Sequence, residues 1–178
     1  VHAKSMRRRL ESIAMERILK ASDVLIVISN WVGAAWRKAY PGIATPSRTI
    51  YNGIPLTPAL RSGLDSGNAS GDASGFVVGV ACRLSNHKGI EEFLSLAARI
   101  HLLAPEARFR IAGEGPQRAS FESKARDLGI DKVLSFEGFV TDMAGFWSAV
   151  DLSAFTAPFE PFGLRLIEPI SHGVPVIA

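Results

Sequence analysis

The sequence contains one cysteine, Cys82, and no long apolar run. A single cysteine excludes an intrachain disulfide and a cysteine zinc site. It ends an apolar stretch, so we interpret it as a small buried residue in a reducing compartment. No apolar run approaches the roughly 18 residues of a membrane-spanning helix, and residues 1–20 lack the continuous apolar core of a secretory signal. We therefore expect a cytoplasmic globular protein.

Aromatic residues are scarce where positive charge is concentrated. The net charge is +3, and many basic side chains lie near the N-terminus: Lys4, Arg7, Arg8, Arg9, Arg17 and Lys20. Nucleic-acid-binding segments often combine such charges with aromatic residues, so we expect no nucleic acid partner. A solvated helix face is the first interpretation. Peripheral contact with the anionic inner face of the membrane is the open alternative.

The first 55 residues predict two helices and two strands. Apolar spacings of three and four predict an amphipathic helix through Met6, Leu10, Ile13, Ala14 and Ile18. The β-branched run at 24–28 predicts a buried parallel strand, and Ser29-Asn30 offers an N-cap for a helix that ends near Ala39. Residues 48–51 predict a short strand, and 52–55 predict a turn.

Residues 62–75 read SGLDSGNASGDASG, with Ser-Gly recurring every four residues. Leu64 is the one large apolar side chain in this stretch, too little to offset the entropy of ordering it. We predict a flexible surface loop here and not a repeat domain.

From residue 76 onward, predicted strands and helices alternate. The strands are predicted at 76–81, 108–112, 133–136, 151–155 and 174–177, and the helices at 89–103, 116–128, 143–149 and 164–172. This alternation predicts an α/β fold, a Rossmann-like parallel sheet with helices on both faces. Ligands bind such sheets at loops that follow the carboxyl ends of the strands. Since a covering helix would normally follow the last strand, we expect the domain to continue beyond Ala178.

Two cations stand five residues apart in the loop Arg83-Leu-Ser-Asn-His-Lys88-Gly89. Cations neutralise a diphosphate, and free N–H groups at the start of the following helix complete its hydrogen bonds. A solvated turn is the alternative interpretation. Weaker signals for a ligand site follow the next two predicted strands. Gly113 and Gly115 follow the first of them and Gly138 follows the second, and glycine would let a ligand approach the backbone. Plain turns would use glycine in the same way.

The most specific segment contains two glutamates. Glu160 precedes the helix predicted at 164–172, and Glu168 lies inside it. Carboxylates at these two places can accept hydrogen bonds from hydroxyl groups while the helix N–H groups face a phosphate. The alternatives are a charged loop residue for Glu160 and a glutamate favoured by the helix dipole for Glu168.

The run E-P-F-G-L-R-L-I-E at 160–168, followed by H-G-V-P-V-I-A at 172–178, resembles the signature of family 4 glycosyltransferases of the GT-B fold. Other segments agree in order and spacing: S-N at 29–30, N-G-I at 52–54, R-L-S-N-H-K-G at 83–89, G-E-G-P at 113–116 and F-E-G-F-V at 136–140. The resemblance covers nearly the whole chain. It implies transfer of a sugar, with retention, from a nucleoside-diphosphate sugar to an acceptor.

The resemblance also implies roles for individual residues. Arg83 and Lys88 match the pair that binds the donor diphosphate, and Glu160 matches the glutamate near the donor sugar. These three are the candidate catalytic residues. Glu168 matches the residue that holds the ribose hydroxyls. The other donor-binding candidates match the backbone near sugar and phosphate or the segment near the base: Phe162, Gly163, Leu164, Gly138, Phe139 and Val140.

A domain division follows from the same resemblance. Residues 1–45 would end an N-terminal acceptor-side domain, 46–75 would form the crossover and flexible loop, and 76–178 would bind the nucleotide sugar. The implied partners are a nucleotide-sugar donor, the rest of the N-terminal domain, and an acceptor that is lipid-linked or a polysaccharide. Because a GT-B site lies between two domains, we expect this chain alone to bind donor weakly without turnover.

Two residues depart from the family pattern: Cys82 stands where glycine is usual, and Pro169 where alanine is common. Proline lacks an N–H and biases the preceding residue away from helical angles, so we expect it to disturb Glu168. The sequence has no Asp-x-Asp cluster. We therefore expect no metal cofactor, with Arg83 and Lys88 stabilising the departing diphosphate instead. The alternatives are a GT-B sugar-nucleotide epimerase and a nucleotide-binding module without catalysis.

Overall fold

The computed structural model describes residues 2–55 and 75–178. The chain forms two compact units, Val1–Gly53 and Ile54–Ala178. Residues 62–74 of the predicted Ser-Gly loop lie outside the described residues, so its flexibility stays a prediction. Among the described helices, none combines the length and the apolar character that crossing a membrane requires.

The first unit consists of two helices and a pair of parallel strands. Its elements in chain order are α1 (His2–Ala21), β1 (Leu25–Val27), α2 (Asn30–Ala39) and β2 (Ser47–Thr49). The Ser29 hydroxyl accepts a hydrogen bond from the Val32 backbone N–H at 3.1 Å. This confirms the predicted N-cap, which satisfies one of the free donors at the start of α2.

Burial in the first unit differs from the prediction. Residues 11–18 of α1 are all exposed, and Leu19 is buried instead. In β1 only Val27 is buried, whereas Ile26 is 63% exposed. The predicted parallel direction of this strand is confirmed, but its predicted burial is wrong for most of its length. A sheet of two short strands offers few neighbours to pack against, so most of these apolar side chains remain open to solvent.

The second unit is built on a five-stranded sheet in the order β5-β4-β3-β6-β7. Its elements in chain order are β3 (Val77–Ala81), α3 (Ile90–Leu103), β4 (Arg108–Ala112), α4 (Arg118–Asp127), β5 (Leu134–Gly138), α5 (Met143–Ser148), β6 (Leu152–Ala154), α6 (Leu164–Ser171) and β7 (Val176–Ile177). Every neighbouring pair of these strands is parallel. The predicted alternation of strands and helices is thus confirmed, with boundaries shifted by one or two residues.

Apolar side chains cover both faces of this sheet. Val78 and Val80 of β3 belong to one core cluster with residues of α3 and α4. Ala81, on the opposite face of the same strand, packs against a second cluster that contains Trp147 of α5. Successive residues of a strand point to opposite faces, so helices cover β3 on both sides. Trp147 is fully buried, and burial of a large side chain contributes roughly 1.5–3 kcal/mol.

The strand order places a topological switch point between β3 and β6. From β3 the chain proceeds outward through β4 and β5, and it then returns to the other side of β3 at β6. The loops that follow β3 and β6 therefore diverge at the carboxyl edge of the sheet. In doubly wound sheets this divergence creates the crevice in which ligands bind.

Candidate functional site

A cleft of about 540 Å³ lies at the carboxyl edge of the sheet in the second unit; we call it the edge cleft. Its walls come from the ends of β3 and β4, the loops after β3, β4 and β5, the start of α5 and one residue of α6. The lining residues are Ala81, Cys82, Arg83, Ala112, Gly113, Glu114, Gly115, Phe139, Val140, Met143 and Glu168. Four predicted site residues meet here: Arg83, Phe139, Val140 and Glu168. They come from three different parts of the chain, and only the folded sheet brings them together.

The side chains around the edge cleft differ in their surroundings. Arg83 is exposed and forms no ion pair with the other described residues. Phe139 is 79% exposed, so an aromatic face is available at the cleft mouth. A planar ring could stack on that face, since aromatic pairs favour offset contact.

A second group of predicted residues meets at the switch point. The Lys88 ammonium, from the loop after β3, donates to Glu160 Oε2 at 3.2 Å, from the loop after β6. Arg165, the second residue of α6, donates to the same oxygen from Nε at 3.2 Å and from Nη2 at 3.0 Å. We call Lys88, Glu160 and Arg165 the switch-point triad. One carboxylate oxygen is therefore shared by two cations.

Arg165 is held more firmly than a typical surface arginine. Its Nη1 also donates to the Lys88 carbonyl at 3.3 Å, and its guanidinium lies 4.9 Å from the centre of the Phe155 ring. The side chain is 13% exposed. A planar guanidinium suits this combination of directed hydrogen bonds and stacking on a ring.

Cys82 connects the edge cleft with the switch-point triad. It lines the cleft, and the triad lies close enough to affect its thiol. Burial raises the pKa of the Cys82 thiol, while the nearby charges of Arg165 and Lys88 oppose the rise. The neutral thiol is therefore favoured. A neutral thiol in such surroundings is a poor nucleophile. Cys82 is partly buried and packs against the core cluster that contains Val78 and Val80, so it is less buried than the sequence interpretation expected.

Glu168 faces the edge cleft from α6. The helix runs without a break from Leu164 to Ser171 and includes Pro169. The expected departure of Glu168 from helical structure is therefore wrong. Proline has no N–H, so at this position it cannot donate the helical hydrogen bond to the Arg165 carbonyl. The Pro169 carbonyl still accepts hydrogen bonds from the backbone N–H groups of His172 and Val174.

The electrostatic surroundings of Glu168 favour its neutral form relative to a solvated glutamate. Burial raises the pKa of this carboxyl group, while the charge of His172 and the polar N–H of Trp147 oppose the rise. A carboxylate held partly out of water in this way gains more from a hydrogen-bonding ligand than an exposed one would.

Gly89 explains how the loops after β3 and β6 come so close. It is the N-cap of α3 with φ 72°, in the left-handed region that favours glycine. A Cβ at this position would lie 2.3 Å from the Thr156 carbonyl oxygen. The Thr156 hydroxyl in turn donates to the Gly89 carbonyl at 2.6 Å. Glycine is thus required for the contact that positions Lys88 beside Glu160.

Four of the predicted donor-binding residues do not line the edge cleft. Gly138 is buried at the end of β5, and its carbonyl accepts from the Gly113 N–H at 2.7 Å. Phe162, Gly163 and Leu164 lie at the start of α6, next to Arg165. The structure therefore divides the predicted site into two adjoining parts, the cleft and the switch-point region.

Sequence reasoning missed Arg165, Thr156 and Glu114. Arg165 stands inside the segment 160–168 that resembles the family signature. It lies three residues before Glu168, so both share one face of α6. That spacing could have indicated Arg165 as a site residue. Thr156 carries no comparable local signal, because its hydrogen bond to the Gly89 carbonyl joins residues 67 positions apart in the chain. Glu114 lines the edge cleft and forms an ion pair with Arg118.

Sequence comparison identifies relatives for the second unit. Residues 71–178 match the sequence model of the family described as "Glycosyl transferases group 1". Over 98 residues the chain is 37% identical to a GDP-mannose-dependent alpha-(1-6)-phosphatidylinositol dimannoside mannosyltransferase of Mycobacterium tuberculosis, covering 53% of this chain and 25% of that protein. It is 31% identical over 109 residues to mannosylfructose-phosphate synthase of Agrobacterium fabrum, covering 53% and 23%. The chain spans about a quarter of the length of these curated relatives.

Solved structures share the fold over most of the chain. Alr3699/HepE of Anabaena, determined in complex with UDP and glucose, matches with a TM-score of 0.73 and 27% identity over 92% of this chain and 47% of that chain. TarM of S. aureus matches with a TM-score of 0.75 and 18% identity, covering 91% and 31%. The predicted Rossmann-like fold of GT-B type is confirmed by these likenesses.

Proposed function

Because the chain belongs to the glycosyl transferases group 1 family, we propose that it supplies the donor-binding half of a retaining glycosyltransferase. The reaction transfers a sugar from a nucleoside-diphosphate sugar to the hydroxyl of an acceptor. The observation that carries this proposal is the convergence of Arg83, Lys88, Glu160 and Glu168 at one edge of the sheet. An extended anionic donor needs cations and hydroxyl acceptors in this kind of arrangement.

The proposed donor pose follows the order of the residues along the edge. The base lies against the segment Gly138–Val140, where Phe139 offers an exposed ring. Glu168 accepts hydrogen bonds from the ribose hydroxyls. The diphosphate lies near Arg83 and Lys88, and the sugar lies near Glu160 and the backbone of Phe162, Gly163 and Leu164. Glu160 and Glu168 thus address different parts of one ligand.

The proposed chemistry of this half is electrostatic. When the bond between the anomeric carbon and the diphosphate oxygen breaks, negative charge develops on the departing phosphate. Arg83 and Lys88 stabilise that charge more strongly than they stabilise the intact donor, and this difference accelerates the reaction. We propose that no metal ion is needed for this step, since the two cations supply the positive charge.

The base, sugar and acceptor are left open. One relative is named for its dependence on GDP-mannose, and one structural neighbour was determined with UDP and glucose. A thermal-shift screen of UDP, GDP and ADP, each with its common sugar conjugates, would identify the donor. The candidate acceptor classes are a lipid-linked acceptor and a polysaccharide.

The proposed activity is tested with the full-length protein and the donor found in that screen. We expect transfer to an acceptor with retention at the anomeric carbon, measured by NMR of the product, and no loss of rate with a chelator. Conversion of the donor into a free epimer would instead assign a sugar-nucleotide epimerase. Nucleotide binding without either reaction would assign a binding module.

A further inference from the structure

The two cations of the switch-point triad are held very differently. Arg165 has three anchors, which are the Glu160 carboxylate, the Lys88 carbonyl and the Phe155 ring. Its side chain is 13% exposed. The Lys88 ammonium has one anchor, Glu160 Oε2 at 3.2 Å, and its side chain is 30% exposed. Lys88 can therefore leave Glu160 more easily than Arg165 can.

The distribution of hydrogen bonds on Glu160 supports this difference. Among the described residues, all side-chain donors to Glu160 reach Oε2. Oε1 receives none of these bonds, so with respect to the described side chains it stays available to a hydroxyl of a ligand. Arg165 thus fixes the orientation of the carboxylate while one of its oxygens remains open.

We propose that Arg165 is a positioning residue that keeps Glu160 paired when Lys88 moves from the carboxylate to the donor diphosphate. This inference rests on the proposed function, because the diphosphate is the group to which Lys88 moves. A half-buried carboxylate that loses its sole cation is strongly destabilised. With Arg165 in place, Lys88 leaves a carboxylate that still has a charged partner. Without Arg165, Lys88 is the only cation left beside Glu160 among the residues that the structure describes, and binding a diphosphate requires that last pair to break.

The backbone contact adds a second effect. The Arg165 Nη1 donates to the Lys88 carbonyl, so the start of α6 is tied to the residue that carries the mobile ammonium. The main chain of residue 88 stays fixed while its flexible four-carbon side chain changes partner. Arg165 therefore limits the movement to the lysine side chain.

The test measures binding of UDP, GDP and ADP, and of their nucleosides, by calorimetry on the full-length protein. Arg165→Met is expected to weaken binding of the preferred nucleoside diphosphate about tenfold, the effect of one charged hydrogen bond, with nucleoside binding unchanged. When Glu160→Gln is added to Arg165→Met, the double variant is expected to bind the diphosphate within about twofold of the Glu160→Gln single variant. Lys88 then has no carboxylate partner to leave. A purely structural role for Arg165 would not be rescued in this way.

Arg110 provides a matched control. It also pairs with a glutamate, Glu137, at 2.9 Å, and it also lies over an aromatic ring, Phe146, at 5.2 Å. Arg110→Met is expected to leave nucleotide affinity unchanged. If Arg165→Met does not fold by circular dichroism, Arg165→Lys replaces it, and an intermediate loss with the same rescue is expected.

The outcomes separate this inference from the proposed function. Unchanged diphosphate affinity in the Arg165 variants, or a loss that Glu160→Gln does not restore, contradicts the inference and leaves the proposed function standing. A wild-type protein that binds no nucleoside diphosphate contradicts the proposed function and the inference together.

Discussion

Arg83 and Lys88 are the two cations of the segment 83–89, and the structure gives them different surroundings. Arg83 is exposed at the edge cleft, whereas Lys88 pairs with Glu160. The role that we propose for both is to hold the negative charge of the donor diphosphate. Removing the charges of Arg83 and Lys88 therefore tests directly whether these two side chains bind the diphosphate.

Replacing Arg83 and Lys88 together by alanine should weaken binding of a nucleoside diphosphate at least about tenfold, because each loses charged hydrogen bonds to phosphate. Binding of the corresponding nucleoside should stay nearly unchanged. Calorimetry with UDP and uridine, or the equivalent pair for another base, measures the difference. Equal losses for nucleotide and nucleoside would show that the fold is damaged.

Glu168→Gln should change binding and stability in opposite directions. Nucleotide and nucleotide-sugar affinity should both fall about tenfold through loss of charged hydrogen bonds to the ribose. The folded-state pKa of Glu168 is raised by burial, so its contribution to stability is present below the ordinary glutamate pKa and lost as pH rises through the raised value. The glutamine variant should therefore be more stable than wild type at neutral pH.

Glu137→Gln is the control with the opposite sign. The hydrogen bond from Arg110 lowers the pKa of Glu137, so its contribution is present above the ordinary glutamate pKa and lost as pH falls through the lowered value. Its glutamine variant should be less stable at neutral pH and bind nucleotide normally. Denaturant unfolding at several pH values measures both variants. Unchanged nucleotide affinity in folded Glu168→Gln would remove Glu168 from the proposed ribose site.

Glu160→Gln should depress kcat in the full-length enzyme while nucleoside diphosphate affinity stays unchanged or becomes slightly tighter. The carboxylate contacts the sugar and not the phosphates in the proposed pose. An effect confined to turnover marks an interaction made mainly in the transition state. Steady-state kinetics together with calorimetry separates the two quantities. A large loss of nucleotide affinity would place Glu160 elsewhere on the donor.

At the scale of elements, the contact between the start of α3 and the loop after β6 controls the switch point. Gly89 and Gly129 have nearly the same backbone angle, φ 72° and φ 70°. A Cβ at Gly89 would meet the Thr156 carbonyl, whereas one at Gly129 would meet nothing within 4 Å. The pair therefore separates backbone strain from close packing.

Gly129→Ala should lower the free energy of unfolding by about 1–2 kcal/mol, the cost of a left-handed angle for a residue with a side chain. Gly89→Ala should lower it further, because the Thr156 backbone must also move. It should weaken diphosphate binding as well, since the shift of the backbone at residue 89 also displaces Lys88, the proposed diphosphate ligand. Denaturant unfolding and calorimetry measure these effects. Equal losses of stability in the two variants would show that the Thr156 contact can relax freely.

At the scale of the whole molecule, nucleotide binding and sugar transfer can be measured for this chain by itself. We expect the 178-residue chain to bind a nucleoside diphosphate weakly and to show no transfer, because the proposed acceptor side lies on another domain. Full activity of the chain alone would contradict this. Size-exclusion chromatography with light scattering checks whether a dimer supplies the acceptor side. The division at residues 45 and 75 stays a prediction; along the chain, the first compact unit ends at Gly53 and the second begins at Ile54.

Local patterns in the sequence were enough to predict the parallel sheet, its helices and the two glutamates around α6. Strand and helix periods depend on neighbouring residues, and the motif spacing places Glu160 before a helix start and Glu168 within the helix. The predicted burial of β1 was wrong, and residues 11–18 of the predicted amphipathic helix α1 are exposed, because an apolar face does not say whether another element covers it. The helix predicted at 164–172 does run through Pro169 as α6, but the disturbance expected at Glu168 was wrong, since helix context outweighed the local preference.

Only the tertiary structure decided which residues meet. Lys88 and Glu160 are 72 positions apart in the chain, and their ion pair depends on β6 lying beside β3. That strand order is chosen by long-range packing of the two core clusters, which no local window of sequence records. Arg165 illustrates the same limit: it stands inside the motif at 160–168, but its hydrogen bonds to Glu160 and to the Lys88 carbonyl form only where the loops after β3 and β6 come together at the switch point.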